Sequence, residues 1–343
     1  MADCPPCGRK SERHNPPLNM KIPILGGLLL ALVGCTASDS RHRSIVPTEP
    51  LASKPGGDPC QSVNTWALDR IDQSAKHLDG KYCYWSSAGV GIPVYIVDSG
   101  IRCTHVDFGG RCAVGMDFVG DGLGTDDRFG HGTQMAGIAT GTTYGVAKFS
   151  IPVPVRVIDS TGHTTDATVL AGLNWILNNH TPPGVINLSL DGDSTNAAGD
   201  STTVAALVNA GFVVVVAAGN GPYDACSRIA GKFPTAIRVG ATSPGDSDNG
   251  TSNYGPCVDI FAPGAAVVSD WYTSDVATFS AIGGTSQAAA HVSGAAALYV
   301  AEHPTATPAS VKAYLIGTAT NGVLSGLPPN TVNRLLRTHN GLP

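Results

Sequence analysis

Charge is scarce in this chain of 343 residues: 14% are Asp, Glu, Lys or Arg, and aromatic residues supply only 6%. The 21 basic residues are outnumbered by 26 acidic ones, for a formal net charge of -5. They form no cluster able to neutralise a row of phosphates, which excludes nucleic acid as an expected partner. Long apolar runs are also missing. The longest, Ile22 to Val33, stops short of the ~20 residues that a membrane-spanning helix needs. What the chain has in quantity is glycine, 42 residues, and much alanine, within a composition that is 42% hydrophobic. Such a sequence suits a large buried core with tight turns and close helix–sheet contacts, and argues against disorder for the bulk of the chain.

The short apolar run reads as the central region of an export signal. Lys21 precedes it, and Leu32-Val33-Gly34-Cys35 follows. This stretch resembles the lipobox of bacterial lipoproteins, which implies Met20 as the true start and acylation of Cys35. Acyl chains there would hold the protein at a membrane surface without spanning it. The alternative is an ordinary cleaved signal that happens to contain a cysteine. Residues 36–60, rich in Ser, Pro and Gly without apolar period, predict a flexible tether. Nine cysteines are present; setting aside Cys4, Cys7 and Cys35 leaves an even set of six, consistent with three disulfides in an oxidising compartment. Cys4 and Cys7 form a CxxC with no second pair or His at ligand spacing, so they read as untranslated or disordered sequence.

From Trp66 onward, short and nearly continuous apolar runs alternate with helical patterns. Ile92 to Val97, Ile151 to Ile158, Val185 to Leu190 and Phe212 to Ala217 suit parallel strands covered on both faces. Asp166 to Leu177, Thr202 to Ala210 and Ser286 to Val300 show helical spacing. The alternation predicts a three-layer α/β fold: a doubly wound, mainly parallel sheet with helices on both faces. Functional residues of such sheets gather at the carboxyl ends of strands.

Four fragments carry candidate chemistry. Asp98 ends a buried run and is followed by Ser99-Gly100. His131 stands between two glycines at a helix start, and Ser286 follows Gly284-Thr285 at the start of the late helix. Between them lies Ala217-Ala218-Gly219-Asn220. Any one fragment is weak, but their order and context resemble the subtilisin-like serine proteases, in particular the branch of proteinase K and the aqualysin-like enzymes. The likeness continues through Trp66 to Gln73, Asn253-Tyr254-Gly255 and Asn333 to Leu336. It covers roughly residues 61–338 as a single peptidase domain and leaves 339–343 as a tail.

The resemblance implies a secreted serine endopeptidase. A serine hydroxyl is a poor nucleophile at neutral pH, so His131 would take the Ser286 proton while Asp98 orients the imidazole. The Asn220 amide would stabilise the oxyanion. No cofactor is needed for that chemistry. Two positions depart from the family pattern: Gln134 stands where GHGT is usually followed by His, and Ser286 is followed by Gln287-Ala288-Ala289-Ala290, where Met follows the serine and Pro precedes His291 in relatives. The remaining histidines, His163 and His291 among them, read as exposed or packed.

The same likeness implies binding segments for a polypeptide substrate. Ser189, Leu190 and Asp191 match one wall of the primary pocket and Ala217, Ala218 and Gly219 the other, while Gly162, His163 and Thr164 match the opposite binding strand. Asp191 replaces a usual glycine, which predicts a leaning toward Lys or Arg before the scissile bond. Structural calcium is also implied, held by the carbonyls of Pro234 and Ala236 with the Asp259 carboxylate. Asp69, Asp72, Gln73 and Asp79 resemble a second calcium loop, with surface carboxylates capping the first helix as the alternative. Cys226 and Cys257 match a known bridge of the aqualysin-like relatives. Cys103 and Cys112 flank a short loop, and pairing them leaves Cys60 with Cys83; the connectivity of these four stays open. A monomer at the bacterial cell envelope is expected. The ~25 residues of tether are too few for a self-folding propeptide, so folding is expected to proceed unaided or with help in trans. The competing function is a membrane-tethered, inactive peptide-binding protein, against which the intact Asp98, His131, Asn220 and Ser286 argue.

Overall fold

The computed structural model describes residues 59–63, 65–190, 198–280 and 283–338. Cys4, Cys7, the export signal with Cys35, most of the tether, Asp191 and the tail lie outside the described residues.

The strands are β1 (Cys60–Ser62), β2 (Lys81–Cys83), β3 (Pro93–Asp98), β4 (Met116–Asp117), β5 (Ile151–Arg156), β6 (Val185–Leu188), β7 (Val213–Ala217), β8 (Ile237–Ser243), β9 (Ser247–Asp248), β10 (Ile260–Pro263), β11 (Val268–Asp270), β12 (Thr278–Ser280), β13 (Thr320–Asn321) and β14 (Arg334–Leu335). The helices are α1 (Trp66–Ile71), α2 (His131–Thr140), α3 (Asp166–Asn179), α4 (Ala198–Ala210), α5 (Thr285–Glu302) and α6 (Pro308–Thr318). The principal sheet runs β13-β14-β10-β8-β7-β6-β3-β5-β4. All neighbours from β14 to β4 are parallel; β13 on β14 and β9 on β8 are antiparallel.

Period-two alternation distributes the apolar runs between two cores. Val94, Ile96, Val213, Val215 and Ala217 face the side of α2 and α5, while Tyr95, Val97, Val214 and Val216 face the side of α3 and α4. Runs buried on both faces have no solvent-facing side to fill with polar residues, which is why they read as nearly continuous hydrophobic segments. The late helix succeeds through small side chains. Ala288, Ala289, Ala290, Ala295, Ala296 and Ala297 are all buried, and α5 packs against β6, β7, β8 and β10. Ala290, where relatives carry proline, lies inside this unbroken helix.

The sheet changes direction at β3, whose neighbours β5 and β6 are reached by later crossovers to opposite sides. The carboxyl end of β3 is therefore the crevice where such folds place ligands. Several boundaries differ from expectation. β6 stops at Leu188, so Ser189 and Leu190 enter a loop, and Cys60, expected in the tether, already pairs in β1. The structure bonds Cys60 to Cys83, Cys103 to Cys112, and Cys226 to Cys257. Among the described residues no helix is long and apolar enough to cross a membrane.

Candidate active site

Asp98 closes β3 fully buried, with its Oδ1 accepting the Ser99 backbone N–H at 2.7 Å. The His131 ring, in the first turn of α2, stands beside it: Nδ1 lies 2.9 and 2.8 Å from the two Asp98 oxygens. An acceptor carboxylate there fixes the proton on Nδ1 and turns Nε2 outward. The approach depends on Gly132, because a Cβ at that position would collide with the Gly100 carbonyl. Burial works against the imidazolium, but the charge and hydrogen bond of Asp98, with Asp127 behind, outweigh it and raise the His131 pKa above its ordinary value.

Asp127 is a functional residue that the sequence reading missed. It is buried and accepts from Phe129 N, Gly130 N and Thr133 N at 3.0, 2.8 and 2.8 Å, and from the hydroxyls of Ser99 and Thr133 at 2.9 and 2.6 Å. One carboxylate thus ties the start of the helix carrying His131 to the end of the strand carrying Asp98. Its local sequence, Thr125-Asp126-Asp127-Arg128, looks like an ordinary polar loop, and Asp127 stands three residues before the N-cap Gly130, outside the usual capping position.

Ser286 sits in the first turn of α5, beside its N-terminus. Its hydroxyl donates to the Ser189 carbonyl at 3.3 Å, and the Ser189 hydroxyl donates to the Ser286 carbonyl at 3.0 Å. The expected link from hydroxyl to imidazole is therefore not the hydrogen bond seen; a change of χ1 rotamer redirects a serine hydroxyl. Asn187, buried on β6 and not anticipated, steadies this seam. It donates to Ser189 Oγ at 2.8 Å and accepts from Ser293 Oγ at 2.9 Å.

Asn220 follows β7. Its Oδ1 accepts from the Thr285 N–H at 2.9 Å and the Thr285 hydroxyl at 3.2 Å. This holds the amide by its oxygen; its NH2 end can only donate, and the neighbouring start of α5 favours negative charge through the helix dipole. Gly284 allows it, since a Cβ there would collide with Asn220 Oδ1. The two departures from the family pattern meet: Gln287 Nε2 donates to Gln134 Oε1 at 3.0 Å, and Gln287 Oε1 accepts from Gly284 N at 2.8 Å. Both side chains are buried, so the starts of α2 and α5 are joined by an amide–amide bond.

The substrate-binding candidates fall around this point. Gly162, His163 and Thr164 lie in an exposed loop beyond the carboxyl end of β5, held by Asp159 and by a 2.6 Å bond from the Thr164 hydroxyl to the Val157 carbonyl. Ser189 and Leu190 lead out of β6, and Leu190 lines a small apolar pocket with Val169, Leu173 and Phe233. Ala217 and Ala218 are buried, and the Ala218 and Gly219 carbonyls are bonded to Asn253 at 2.7 and 2.8 Å. His291 is buried and its Nδ1–H donates to the Gln287 carbonyl at 2.8 Å; burial lowers its pKa to about 4. It is packed, away from any role as base.

The two candidate calcium sets behave differently. Around Asp259 the residues do not fit a metal ion. The Lys312 ammonium lies 2.7 Å from the Ala236 carbonyl, 2.8 Å from Asp259 Oδ2 and 3.5 Å from the Pro234 carbonyl, and Arg238 holds both Asp259 oxygens at 2.9 Å. In the second set, Asp69 accepts from Asp79 N and Gly80 N, the Gln73 amide donates to the His77 carbonyl, and Asp79 accepts from Lys81 N. Asp72 accepts from Cys83 N through Oδ2, while its Oδ1 is buried without a partner. Burial, reinforced by the charges of Asp79 and Asp69, pushes Asp72 up to about 7. Although no three acidic, His or Cys side chains converge as a ready metal site among the described residues, an unpartnered oxygen beside mutually repelling carboxylates suits a hard cation.

The profile of the subtilase family, Peptidase S8, matches residues 89–336. The extracellular serine proteinase of Thermus sp. (strain Rt41A) is 47% identical over 81% of this chain, and alkaline serine exoprotease A of Vibrio alginolyticus is 38% identical over 85%. This chain spans 67% of the first relative's length and 53% of the second's. A crystal structure of a cold adapted subtilisin-like serine proteinase superposes with a TM-score of 0.76 at 38% identity, over 82% of this chain and all of that one. With a family match over more than half its length and a doubly wound sheet of the same kind, this chain belongs to the subtilase family of serine proteases.

Proposed function

We propose that this subtilase is a secreted endopeptidase in which Ser286 is the nucleophile, His131 the general base and acid, Asp98 the orienting carboxylate and Asn220 the oxyanion donor. The observation that carries the reading is the bond between Asp98 and His131 Nδ1 at the sheet's switch point, with Ser286 and the fixed Asn220 amide at the adjoining helix start. As the Ser286 hydroxyl attacks the peptide carbonyl, its proton passes to His131 Nε2, and the new negative charge meets the Asn220 NH2 and the Ser286 N–H. His131 then hands the proton to the leaving amine, and water, deprotonated by the same ring, releases the acyl group from Ser286. A serine-directed fluorophosphonate tests this. Folded wild type is expected to be labelled stoichiometrically and Ser286→Ala not at all; unlabelled, folded wild type would overturn the reading in favour of the inactive peptide-binding protein.

Substrate is expected to lie as an added strand between residues 162–164 and 189–191, with Ala217 to Gly219 completing the primary pocket. The leaning toward basic residues rests on Asp191, and a peptide-library profile unchanged in Asp191→Gly would remove it. The extracellular relative supports export. Anchoring rests on Cys35, and its signature is an acyl mass on the mature N-terminal peptide that Cys35→Ser abolishes. Calcium, where bound, is expected at Asp69, Asp72, Gln73 and Asp79, neutralising their repulsion; it supplies stability and takes no part in peptide cleavage.

A further inference from the structure

Lys312 comes from α6, 53 residues beyond Asp259 and 76 beyond Ala236 in sequence, yet its ammonium reaches the three groups that family resemblance would give to a calcium ion. An ammonium has three donors, and here it meets three acceptors: two backbone carbonyls and a carboxylate. The carboxylate has no oxygen left over. Oδ2 also accepts from the Arg238 backbone N–H and Nε, both at 2.9 Å, and Oδ1 accepts from Arg238 Nη2 at 2.9 Å. Calcium takes six to eight oxygens at roughly 2.3–2.6 Å. At this site a dication would have to displace one positive side chain and lie against another, with like charges repelling strongly in a part-buried setting.

We infer that the Lys312 ammonium is the permanent, chain-borne cation of this site, and that the Pro234, Ala236 and Asp259 cage takes no metal. The same device occurs elsewhere in the fold. Lys148, buried, places its ammonium 3.1 and 3.0 Å from the carbonyls of Thr142 and Gly145, over the rings of Tyr82 and Tyr84. What Lys312 secures is the turn 233–236 that feeds β8, together with β10 and α6. β8 in turn pairs with β7, from which Asn220 emerges. The oxyanion side of the active site is thereby braced without any dependence on dissolved calcium at that point.

The experiment uses the full chain carrying Asp72→Asn, so that the separate acidic set near α1 does not contribute. Calorimetric titration with calcium and melting in excess calcium or excess chelator are the readouts. The inference expects no binding heat, the same melting temperature in both, and a drop of about 5 °C when Lys312→Ala is added. A calcium-dependent rise in melting temperature that disappears on adding Asp259→Asn would overturn it, as would Lys312→Ala melting with its parent. If Lys312→Ala does not fold, the titration of the folded Asp72→Asn protein decides alone.

Discussion

At the scale of the single residue, His131 carries two opposed forces. Burial disfavours its charged form, and Asp98 at 2.8 Å favours it more. A general base must be neutral, so activity is lost as pH falls through the imidazole pKa, and here that pKa is raised. The acid limb of kcat/KM is therefore expected above the ordinary imidazole value of about 6.5. Asp98→Asn should move the limb lower and cut kcat by about 10,000-fold, because the ring is then held in the wrong tautomer. A limb that stays in place in Asp98→Asn would mean that another group titrates. Asn220→Ala removes a donor of the kind whose loss costs about 100- to 1,000-fold in kcat, a range that comes from a subtilisin itself. These residues were legible in the sequence because each stands in a short fragment at the end of an element: a strand end, or a helix start flanked by glycine.

At the scale of the element, the start of α2 depends on a residue that no fragment announced. Asp127 takes three backbone N–H groups and two hydroxyls. Asp127→Ala would strand buried donors and is expected to lower unfolding free energy by about 3 kcal/mol. It should also lower kcat well beyond KM, since the His131 helix loses its register on β3; urea melts together with steady-state kinetics check both. Asn187 and Lys312 escaped the sequence reading because Ser293, and Asp259 with Ala236, lie 106, 53 and 76 residues away and meet them only after the sheet has brought distant segments together. Asp127 escaped because most of its partners are backbone N–H groups a few residues on, which nothing in the local sequence marks out. β10 and β14 escaped because strands of four and two residues leave no measurable period. β6 ends at Leu188, two residues before the apolar run does, and the Ser189 carbonyl beyond it accepts from the Ser286 hydroxyl. The Asp259 set was read from residues that do match the family, and what alters its meaning is the side chain arriving from α6.

At the scale of the whole molecule, buried titratable groups set how stability follows pH. Lys148 has its pKa lowered from 10.5 to about 8 by burial, partly offset by Asp107 and with Arg111 adding to the lowering. Between these values the unfolded chain holds the proton more firmly than the folded one, so this residue's contribution to stability grows as pH rises from 8 to 10.5, by about 3 kcal/mol. Urea unfolding at both ends of that window should show wild type gaining on Lys148→Met by that amount; a constant gap would contradict it. His291 acts in the same direction at lower pH. With a folded value of about 4 against 6.5 unfolded, its contribution is complete above 6.5 and is lost as pH falls toward 4.

The bond between Gln134 and Gln287 has a consequence for how the enzyme responds to its surroundings. Two amides have no proton to gain or lose near neutrality and no sulfur to oxidise. The clasp joining the helix of His131 to the helix of Ser286 thus stays the same in mild acid, in alkali or under peroxide. Changes in turnover under such treatments therefore do not come from a loosening of this amide joint.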